Sequence, residues 1–460
     1  MSSRLLRFGF VLILGWTSLL TACGGAEAPP ATSPSPPPAT HTAAPPPAPS
    51  PSPHAAPSPT ANGSAWHQTH FLLSAYNPPF AWHGPPYEDA VFARYQAAHF
   101  HHLLWVRDDG ALIARARQFG FSYYLDIADL IGEEKLRGEE GPPDEITAED
   151  LRRLDQFVEK YKNDPLMAGY YLCDEPYPAA FPNIARVLAR IRTHDTARPA
   201  FVNLFPYFSE EEGSPAYIEA FLQTVHPDML VFDRYIFFND RDETSQYLAQ
   251  LRLIRKYALQ SHIPFVSIIQ GVGTNGTQAA SLNWRTPSEA EMRWLVYTSL
   301  TFGVHGIVWF HWDHEWGVTG NPDGPKVYPA IQHLNQKIQT LGPVMVSLTS
   351  TDVFGTAAQL VVLPGDLGRQ KLLSSGSELL AGVFRSASGR EDHFMLTNLN
   401  YREALEPTIT MHLPLRSLET LDVTTGKWEK VPFENHAGGA TFSILLPPGG
   451  GRLFRFALEK

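Results

Sequence analysis

The segment Ala168-Gly169-Tyr170-Tyr171-Leu172-Cys173-Asp174-Glu175-Pro176 joins a short apolar run to two adjacent carboxylates and a proline. A run this short and this apolar is typical of a strand buried on both faces of a parallel sheet. Seven other runs share this character: Phe71–Tyr76, His102–Val106, Phe121–Ile127, Ala200–Phe205, Met229–Phe232, Phe265–Ile269 and Gly306–Trp312. Together with Ala168–Leu172 they predict eight buried strands.

Helical segments alternate with these runs. Thr147 and Asp150 have the spacing of a capping box, and Asn163-Asp164-Pro165 ends the helix that it opens. Thr286-Pro287-Ser288-Glu289 reads as a second capping box. Eight strand–helix alternations in about 280 residues match the size of a (β/α)8 TIM barrel, an α/β fold. A doubly wound sheet is the main alternative, but no Gly-rich phosphate fingerprint follows the first run.

The pattern changes near Ser350, where short apolar runs follow one another with Gly, Asn, Asp and Pro between them. The runs are Leu360–Leu363, Glu378–Phe384, His393–Thr397, Thr408–Leu413, Leu418–Val423 and Thr441–Leu446. Closely spaced strands with such separators are typical of an antiparallel β-sandwich. We therefore predict a barrel catalytic domain over residues 65–347 and a C-terminal β-sandwich domain over residues 348–460.

The first 23 residues read as a targeting segment, with Arg4 and Arg7 ahead of the apolar stretch Phe8–Leu20. Small residues lead into a cysteine in Leu20-Thr21-Ala22-Cys23, which resembles the bacterial lipobox. The resemblance implies a lipoprotein signal peptide over residues 1–23 and a lipid on Cys23. An ordinary secretory signal and a single anchor helix are the alternatives.

Residues 24–64 consist almost entirely of Pro, Ala, Ser, Thr and Gly, and 14 of the 40 prolines lie in Gly24–Thr60. This composition buries no core and favours extended polyproline II structure, so we expect a disordered linker. With a lipid on Cys23 it would hold the barrel away from a membrane, on the extracellular or periplasmic side of the cell envelope.

Composition excludes several classes of protein. The 460 residues carry 36 Lys and Arg against 47 Asp and Glu, a net charge of −11, with no basic run for a nucleic acid. The two cysteines exclude a disulfide scaffold and a thiolate metal cluster. We therefore expect no nucleic-acid partner, and contact with a membrane only through the N-terminal lipid.

Barrel active sites lie at the carboxyl ends of the strands, so the polar residues that end each run are the site candidates. They are Asn77, Asp126, Asp174, Glu175, Asn203, Asp233, Tyr235, Gln270, and His311-Trp312-Asp313-His314-Glu315-Trp316. Carboxylates and aromatic rings together suit glycoside hydrolysis. One carboxyl group protonates the leaving oxygen, a second attacks the sugar or activates water, and aromatic faces bury the apolar side of the ring.

Two stretches carry a family resemblance. Tyr170-Tyr171-Leu172-Cys173-Asp174-Glu175-Pro176 resembles the fourth-strand segment of clan A glycoside hydrolases. Arg285-Thr286-Pro287 through Gly303, followed by Gly306-Ile307-Val308-Trp309-Phe310, resembles family-42-like β-galactosidases and related uncharacterised bacterial lipoproteins. The resemblance spans about residues 66–345. It implies a TIM barrel, a carbohydrate substrate, no cofactor, and Glu175 as general acid/base.

The chain departs from the clan pattern at two positions. Asp174 stands where an Asn usually precedes the acid, so we expect it to orient Glu175 or to support the fold. Gln270 ends the seventh strand, where the clan places a nucleophilic Glu, and an amide cannot replace that carboxylate. Strand parity puts Asp233 on the face of Met229 and Val231, which makes it the first candidate for the second carboxylate. Asp313 and Glu315 are the alternatives.

Aromatic and polar side chains complete the prediction. Trp309, Trp312 and Trp316 are candidates for stacking on sugar rings, followed by Tyr235 and Trp82, although Trp309 is equally suited to the core. Asn77, Asp126, Asn203 and Gln270 are candidates for binding substrate. Cys173 reads as a small core residue.

A metal site is not expected. Two histidine groups are present, one of His99, His101 and His102, the other of His311 and His314 with Glu315, but neither has HExxH spacing. Two other functions stay open: a non-catalytic glycan-binding lipoprotein, which Gln270 favours, and a barrel hydrolase acting on a non-sugar substrate. The sequence carries no signal for the sugar, its linkage or the oligomeric state.

Overall fold

The computed structural model describes residues 66–80, 87–139, 141–206, 214–314, 317–355, 372–374, 379–411, 414–437 and 439–459. Residues 1–64, with Cys23 and the linker, lie outside them, as do Trp82, Glu315, Trp316 and the predicted strand Leu360–Leu363. Within the described residues, no helix combines the length and apolarity needed to cross a bilayer.

Eight parallel strands form the predicted barrel. They are β1 (Leu72–Ala75), β2 (His102–Val106), β3 (Ser122–Asp126), β4 (Met167–Asp174), β5 (Ala200–Leu204), β6 (Leu230–Arg234), β7 (Phe265–Gln270) and β8 (Gly306–Phe310). Their order in the sheet is β1-β8-β7-β6-β5-β4-β3-β2. The backbone N–H of His101 donates to Leu73 O at 3.3 Å, and Ser74 Oγ donates to His102 O at 2.8 Å, which joins β2 to β1. The (β/α)8 prediction is confirmed.

Helices alternate with the strands. They are α1 (Asp89–Ala97), α2 (Gly110–Phe119), α3 (Ile127–Ile131), α4 (Glu133–Arg137), α5 (Ala148–Tyr161), α6 (Phe181–His194), α7 (Ser214–Val225), α8 (Thr244–Ser261), α9 (Glu289–Phe302) and α10 (Gly324–Met345). Three of them, α3, α4 and α5, lie between β3 and β4, so this connection is longer than the others. It delivers two short helices to the carboxyl end of the barrel.

The two predicted capping boxes have different outcomes. At α5, Thr147 Oγ1 accepts from the N–H of Asp150 and Asp150 Oδ2 accepts from the N–H of Thr147, as predicted. The prediction for α9 was wrong by two residues, because Ser288 and Glu291 form that capping box. Thr286 instead donates to Asp323 Oδ2 at 2.8 Å, ahead of α10.

Antiparallel sheets follow the barrel. One has six strands, in the order β15 (Trp428–Lys430), β14 (Leu415–Leu421), β18 (Gly451–Leu458), β12 (Glu391–Asn398), β11 (Leu379–Arg385) and β9 (Thr349–Gly355). The other has four, in the order β10 (Leu372–Ser374), β13 (Thr408–Met411), β17 (Gly439–Ser443) and β16 (Glu434–His436). Phe394 and Leu396 of the first share a core with Ile409 and Phe442 of the second. The predicted antiparallel sheets are therefore present.

Helix α9 is enclosed on all sides. Every residue from 294 to 302 is buried. Its Thr301 Oγ1 lies 2.7 Å from Thr397 Oγ1 of β12, and a Cβ on Gly382 of β11 would collide with the carbonyl of Thr301. Leu380, Phe384 and Met395 of the six-stranded sheet belong to the same core as the barrel helices. The six-stranded sheet thus covers the outer face of α9.

Candidate active site

An irregularity in β4 places the two adjacent carboxylates. Tyr171 is paired with Phe201 of β5, but the next pair joins Asp174 to Asn203, so β4 has one extra residue in this interval. Tyr171 packs in the barrel interior, whereas Leu172 and Cys173 pack outside against the helices. Regular alternation from Tyr171 would place Cys173 on the inner face and Asp174 on the outer face. Because of the bulge, Asp174 lies on the inner face instead. As predicted, Cys173 is a buried core residue.

Asp174 accepts hydrogen bonds from the neighbouring strands. Asn203 Nδ2 donates to its Oδ1 at 2.9 Å, and the hydroxyl of Tyr76, at the end of β1, also donates to this carboxylate. Burial first, and then the negative charge of Asp174, raise the pKa of Tyr76 well above its usual value. A carboxylate with two such donors is suited to fixing geometry, which agrees with the orienting role proposed for Asp174.

Glu175 turns sharply out of the strand. Its φ angle of 45° lies in the left-handed region, and its N–H donates to Asn203 O at 2.8 Å. Burial raises the pKa of Glu175 well above its usual value, and the charges of Asp233 and Asp174 raise it further. The Arg137 guanidinium, whose Nη2 lies 3.7 Å from Glu175 Oε2, acts in the opposite direction. A carboxyl group in this setting retains its proton to higher pH than an exposed glutamate.

Asp233 ends β6 on the side that strand parity indicated, because Met229 and Val231 pack in the barrel interior below it. Burial, followed by the charge of Asp174, raises the pKa of Asp233 to about 7, although hydrogen bonds with Tyr235 and Asn203 act against this shift. Its Oδ1 is buried and has no hydrogen-bond partner among the residues that the structure describes. The charge of Asp233 in turn raises the pKa of Glu175, which lies at the same barrel mouth.

The alternative carboxylate Asp313 has a different environment. It is fully buried just after β8, where Thr319 Oγ1 donates to its Oδ1 at 2.9 Å. Its N–H donates to Asn77 O at 2.7 Å, and Asn77 Nδ2 lies 2.9 Å from His311 Nδ1. These hydrogen bonds join the end of β1 to the loop after β8. Asp313 and Asn77 therefore both stabilise the local fold.

Asp126 also has a local structural role. Its side chain caps α3 by accepting from the N–H of Asp129 at 3.1 Å. Burial raises the pKa of Asp126 to about 6, and the charge of Asp129 adds to this. It lies at the end of β3, next to the strand that carries Glu175.

Gln270 is a backbone clamp, which corrects its prediction as a substrate-binding residue. Its Oε1 accepts from the N–H groups of Ile236 and Phe237 at 3.0 and 2.9 Å. Its Nε2 donates to the carbonyls of Phe237 and Arg285 at 3.1 and 3.0 Å. The side chain is fully buried and holds the loop after β6 against the loop after β7. Its amide groups are occupied by the fold and have no capacity left for a sugar.

Two of the predicted stacking tryptophans are core residues. Trp309 faces outward from β8 and donates through Nε1 to Asn335 of α10 at 2.8 Å. Trp312 packs edge-on against Tyr95 and Phe100. Both are 0% exposed, so the structure removes them from the candidates for sugar stacking. In β8 it is Val308 and Phe310 that face the barrel interior.

Three other aromatic residues at the mouth of the barrel are candidates for stacking on a sugar: Tyr235, Trp284 and Trp105. Tyr235 lies between Phe310, 4.5 Å from its ring centre, and Trp284, 4.8 Å away. Trp105, at the end of β2, meets Tyr76 edge-on at 4.0 Å. Trp105 and Trp284 are only partly buried, and no pattern in the sequence pointed to either of them. Trp105 has a φ angle of 59° at a register irregularity of β2, so strand alternation alone could not orient it.

Arg137 is the third missed residue. It is the last residue of α4 and is buried, although its guanidinium lies within 4 Å of three carboxylates. No apolar run points to it, because it lies in the long connection between β3 and β4. The only signal in the sequence is the run of charges Glu133-Glu134-Lys135-Leu136-Arg137, which also suits an exposed helix.

The histidines lie in separate places. His102 begins β2 at the opposite, amino-terminal end of the barrel, beside a cavity of about 700 Å³ that Trp66, Tyr124 and Gln339 also line. His311 and His314 lie at the carboxyl end, with ring centres 5.1 Å apart. Among the described residues, no group of three His, Cys, Asp or Glu side chains is arranged to hold a metal ion.

Comparisons with known proteins give similarity of fold. No protein-family model and no curated protein matches the chain. A family 5 glycoside hydrolase from Bacteroides vulgatus is 12% identical over 87% of this chain and 94% of its own, with a TM-score of 0.52. A second glycoside hydrolase structure is 11% identical over 87% and 98%, with a TM-score of 0.52. The α-L-fucosidase isoenzyme 2 of Paenibacillus thiaminolyticus is 8% identical over 85% and 100%, with a TM-score of 0.51.

These matches extend over the barrel and the C-terminal sheets, so the chain has a glycoside-hydrolase-like fold. At such low identity the likeness carries the fold alone. The finer resemblance to family-42-like β-galactosidases stays a prediction.

Proposed function

We propose that the protein is a glycoside hydrolase that cleaves O-glycosidic bonds of an extracellular oligo- or polysaccharide. The observation that carries this proposal is a pair of carboxyl groups at the ends of β4 and β6, the partly buried Glu175 and the buried Asp233. Burial raises the pKa of both Glu175 and Asp233; the charge of Asp233 raises that of Glu175 further, and the charge of Asp174 raises that of Asp233. A carboxyl group with a raised pKa keeps its proton to higher pH and can act as an acid, while a second carboxyl group that has ionised can act as a base.

In this proposal Glu175 is the general acid/base. Its proton passes to the glycosidic oxygen as the bond to the anomeric carbon breaks, and the leaving group departs as an alcohol. Asp233 is the second carboxylate and removes a proton from the attacking water. Asp174, held by Asn203 and Tyr76, fixes the backbone that carries Glu175. Tyr235, Trp284 and Trp105 offer ring faces to the sugar.

Gln270 supports a second candidate, a glycan-binding protein on the same fold. The position that clan A uses for its nucleophile holds a side chain committed to backbone carbonyls and N–H groups. Binding alone, however, does not require a buried carboxyl group such as that of Asp233 at the mouth, because its burial costs free energy.

The test is a screen of the folded protein against neutral and charged glycosides and polysaccharides, with Glu175→Gln and Asp233→Asn in parallel. Hydrolysis by the parent and its loss in both variants would support the enzyme. Retained glycan binding in all three proteins without turnover would support the binding protein instead. If the protein showed no turnover and bound no glycan, both candidate functions would be excluded.

We also propose that a lipid on Cys23 anchors the protein to the cell envelope, with the barrel on the extracellular or periplasmic side. The support is the lipobox-like Leu20-Thr21-Ala22-Cys23 behind an apolar stretch. Several acyl chains at about 0.8 kcal/mol per buried CH₂ would give a stable anchor.

A further inference from the structure

The backbone of α4 is fastened on both sides of Glu175. Cys173 Sγ donates to Leu136 O at 3.3 Å, and the N–H of Tyr177 donates to Arg137 O at 2.7 Å. Gly138, in the left-handed region with φ of 69°, ends the helix close against Ala180. Arg137 is therefore held in register with the turn that carries Glu175.

The Arg137 side chain is buried among carboxylates without bonding closely to any of them. Its Nη2 lies 3.7 Å from Glu175, its Nε 3.6 Å from Glu139 and its Nη1 3.8 Å from Glu133. The Arg137 side chain is 8% exposed, whereas those of Glu133 and Glu139 are 50% and 43% exposed. Two of its partners thus come from the surface, and the third is the candidate acid.

Arg285 offers a comparison, because its guanidinium makes close hydrogen bonds to carboxylates. It donates to both oxygens of Glu291, at 2.8 and 2.7 Å, and to Asp242 at 2.7 Å. The Nε and Nη2 of Arg137 are buried and make no hydrogen bond within the described part of the chain. A buried donor without an acceptor costs free energy, so stability alone does not account for the place of Arg137 beside Glu175.

We propose that Arg137 is a positioning residue, which holds the Glu175 carboxyl group by its charge, and that Glu133 and Glu139 determine how strongly it does so. The inference rests on the proposed function, since it assigns a role around the proposed acid. The negative charges of Glu133 and Glu139 attract the guanidinium away from Glu175, while the fixed backbone of α4 keeps it near the Glu175 carboxyl group.

Charged and titratable groups face this pair from several elements. They are Glu133 on α4, Glu139 after it, Asp174 on β4, Tyr177 after β4 and Asp233 on β6. Arg137 is the cation among the groups that act on Glu175, and it lowers the pKa that burial, Asp233, Asp174 and Glu139 raise. Loss of Arg137 therefore leaves Glu175 protonated to higher pH, and loss of Glu139 has the opposite effect.

The experiment is a titration of Glu175 in the free protein by NMR with ¹³C-labelled glutamate, its resonance assigned with Glu175→Gln. In Arg137→Gln the midpoint should move upward by about one pH unit, the size expected for loss of a neighbouring opposite charge. Arg137→Lys should restore most of the parent midpoint. Glu139→Gln, a change at an exposed side chain, should move the midpoint downward.

Arg107→Gln is the matched control, because Arg107 is an exposed arginine at the same end of the barrel, 3.9 Å from Asp129. It should leave the Glu175 midpoint unchanged. An unchanged midpoint in Arg137→Gln would overturn the proposal. Should that variant fail to fold, an unchanged or raised midpoint in Glu139→Gln would overturn it equally.

The alkaline limb of the pH profile of kcat/KM should move with the NMR midpoint, because a general acid must be protonated to act. The two readouts separate the proposals. A moving midpoint without hydrolysis of any glycoside leaves the role of Arg137 intact and rejects the hydrolase. If the protein hydrolyses a glycoside, but neither the pH profile nor the Glu175 midpoint changes in Arg137→Gln, the hydrolase is supported and the role of Arg137 is rejected.

Discussion

The carbonyl oxygen of Asn203 accepts the backbone N–H of Glu175 at 2.8 Å, while the Asn203 side chain donates to the adjacent Asp174. One residue of β5 thus fixes both the backbone of the candidate acid and the carboxylate before it. Replacing the Glu175 side chain disturbs neither contact, so its chemistry can be tested with little change in the fold.

Glu175→Gln should lower kcat on an unactivated glycoside by about 10²- to 10⁴-fold, the usual contribution of general acid catalysis. The loss should be smaller on an aryl glycoside whose leaving group needs no proton. The melting temperature should stay near that of the parent. Glu134→Gln, at an exposed glutamate of α4, is the control and should retain full activity. Parent-like turnover of the unactivated substrate by Glu175→Gln would reject the assignment.

Asp233→Asn should abolish most hydrolysis, because it removes the second carboxylate while keeping the shape of the side chain. We expect the parent to invert the anomeric configuration, since a short Asp on β6 leaves more room for water than a Glu on β7. NMR of the first product released by the parent measures this, and Asp240→Asn is the exposed control. A product of retained configuration would contradict inversion. If Asp233→Asn stayed active, Asp313 and Glu315 would become the candidates for the second carboxylate.

Gln270→Glu, which restores the residue type of the clan nucleophile, should destabilise the protein by roughly 2 to 5 kcal/mol. A carboxylate there would face the carbonyls of Phe237 and Arg285, which now accept from the amide. Differential scanning calorimetry against Gln336→Glu, at an exposed glutamine of α10, measures the effect. Equal melting temperatures of the two variants would show that Gln270 is not a clamp.

The stability of Asp233→Asn relative to the parent should rise with pH. The folded-state pKa of Asp233 is raised to about 7, above its unfolded value, so ionising it destabilises the fold as pH rises toward 7. Asn has no such ionisation. The difference in melting temperature should therefore grow from about pH 4 and level off above about pH 7. A difference that stays constant over this range would show that the pKa of Asp233 is not raised in the folded protein.

Cys23→Ser should release the protein from the membrane fraction, because lipidation requires the thiol. Partitioning into a detergent phase, compared with that of the parent, measures the change. The control is Ser33→Ala, a substitution in the low-complexity stretch that follows Cys23, which should partition like the parent. Undiminished membrane association of Cys23→Ser would reject the lipid anchor.

The sequence predicted the barrel well, because strands buried on both faces are runs of apolar residues that alternate with capped helices. It placed Asp233 correctly on the inner face, since β6 is regular. It failed where the backbone departs from regular alternation, as at Trp105, or where a long connection folds back, as at Arg137. The structural role of Gln270 was equally hidden, because its partners are backbone groups of distant loops, which no pattern of side chains records.

The enclosure of α9 between the barrel and the six-stranded sheet has a consequence for how such a chain can evolve. Many enzymes change their targets by recombination that attaches a new accessory module to an old catalytic unit. Here, exchanging the C-terminal strands would leave the outer face of α9 without its cover. We therefore expect the two parts to be inherited together, and new specificities to arise through substitutions in the loops at the mouth rather than through gene fusion.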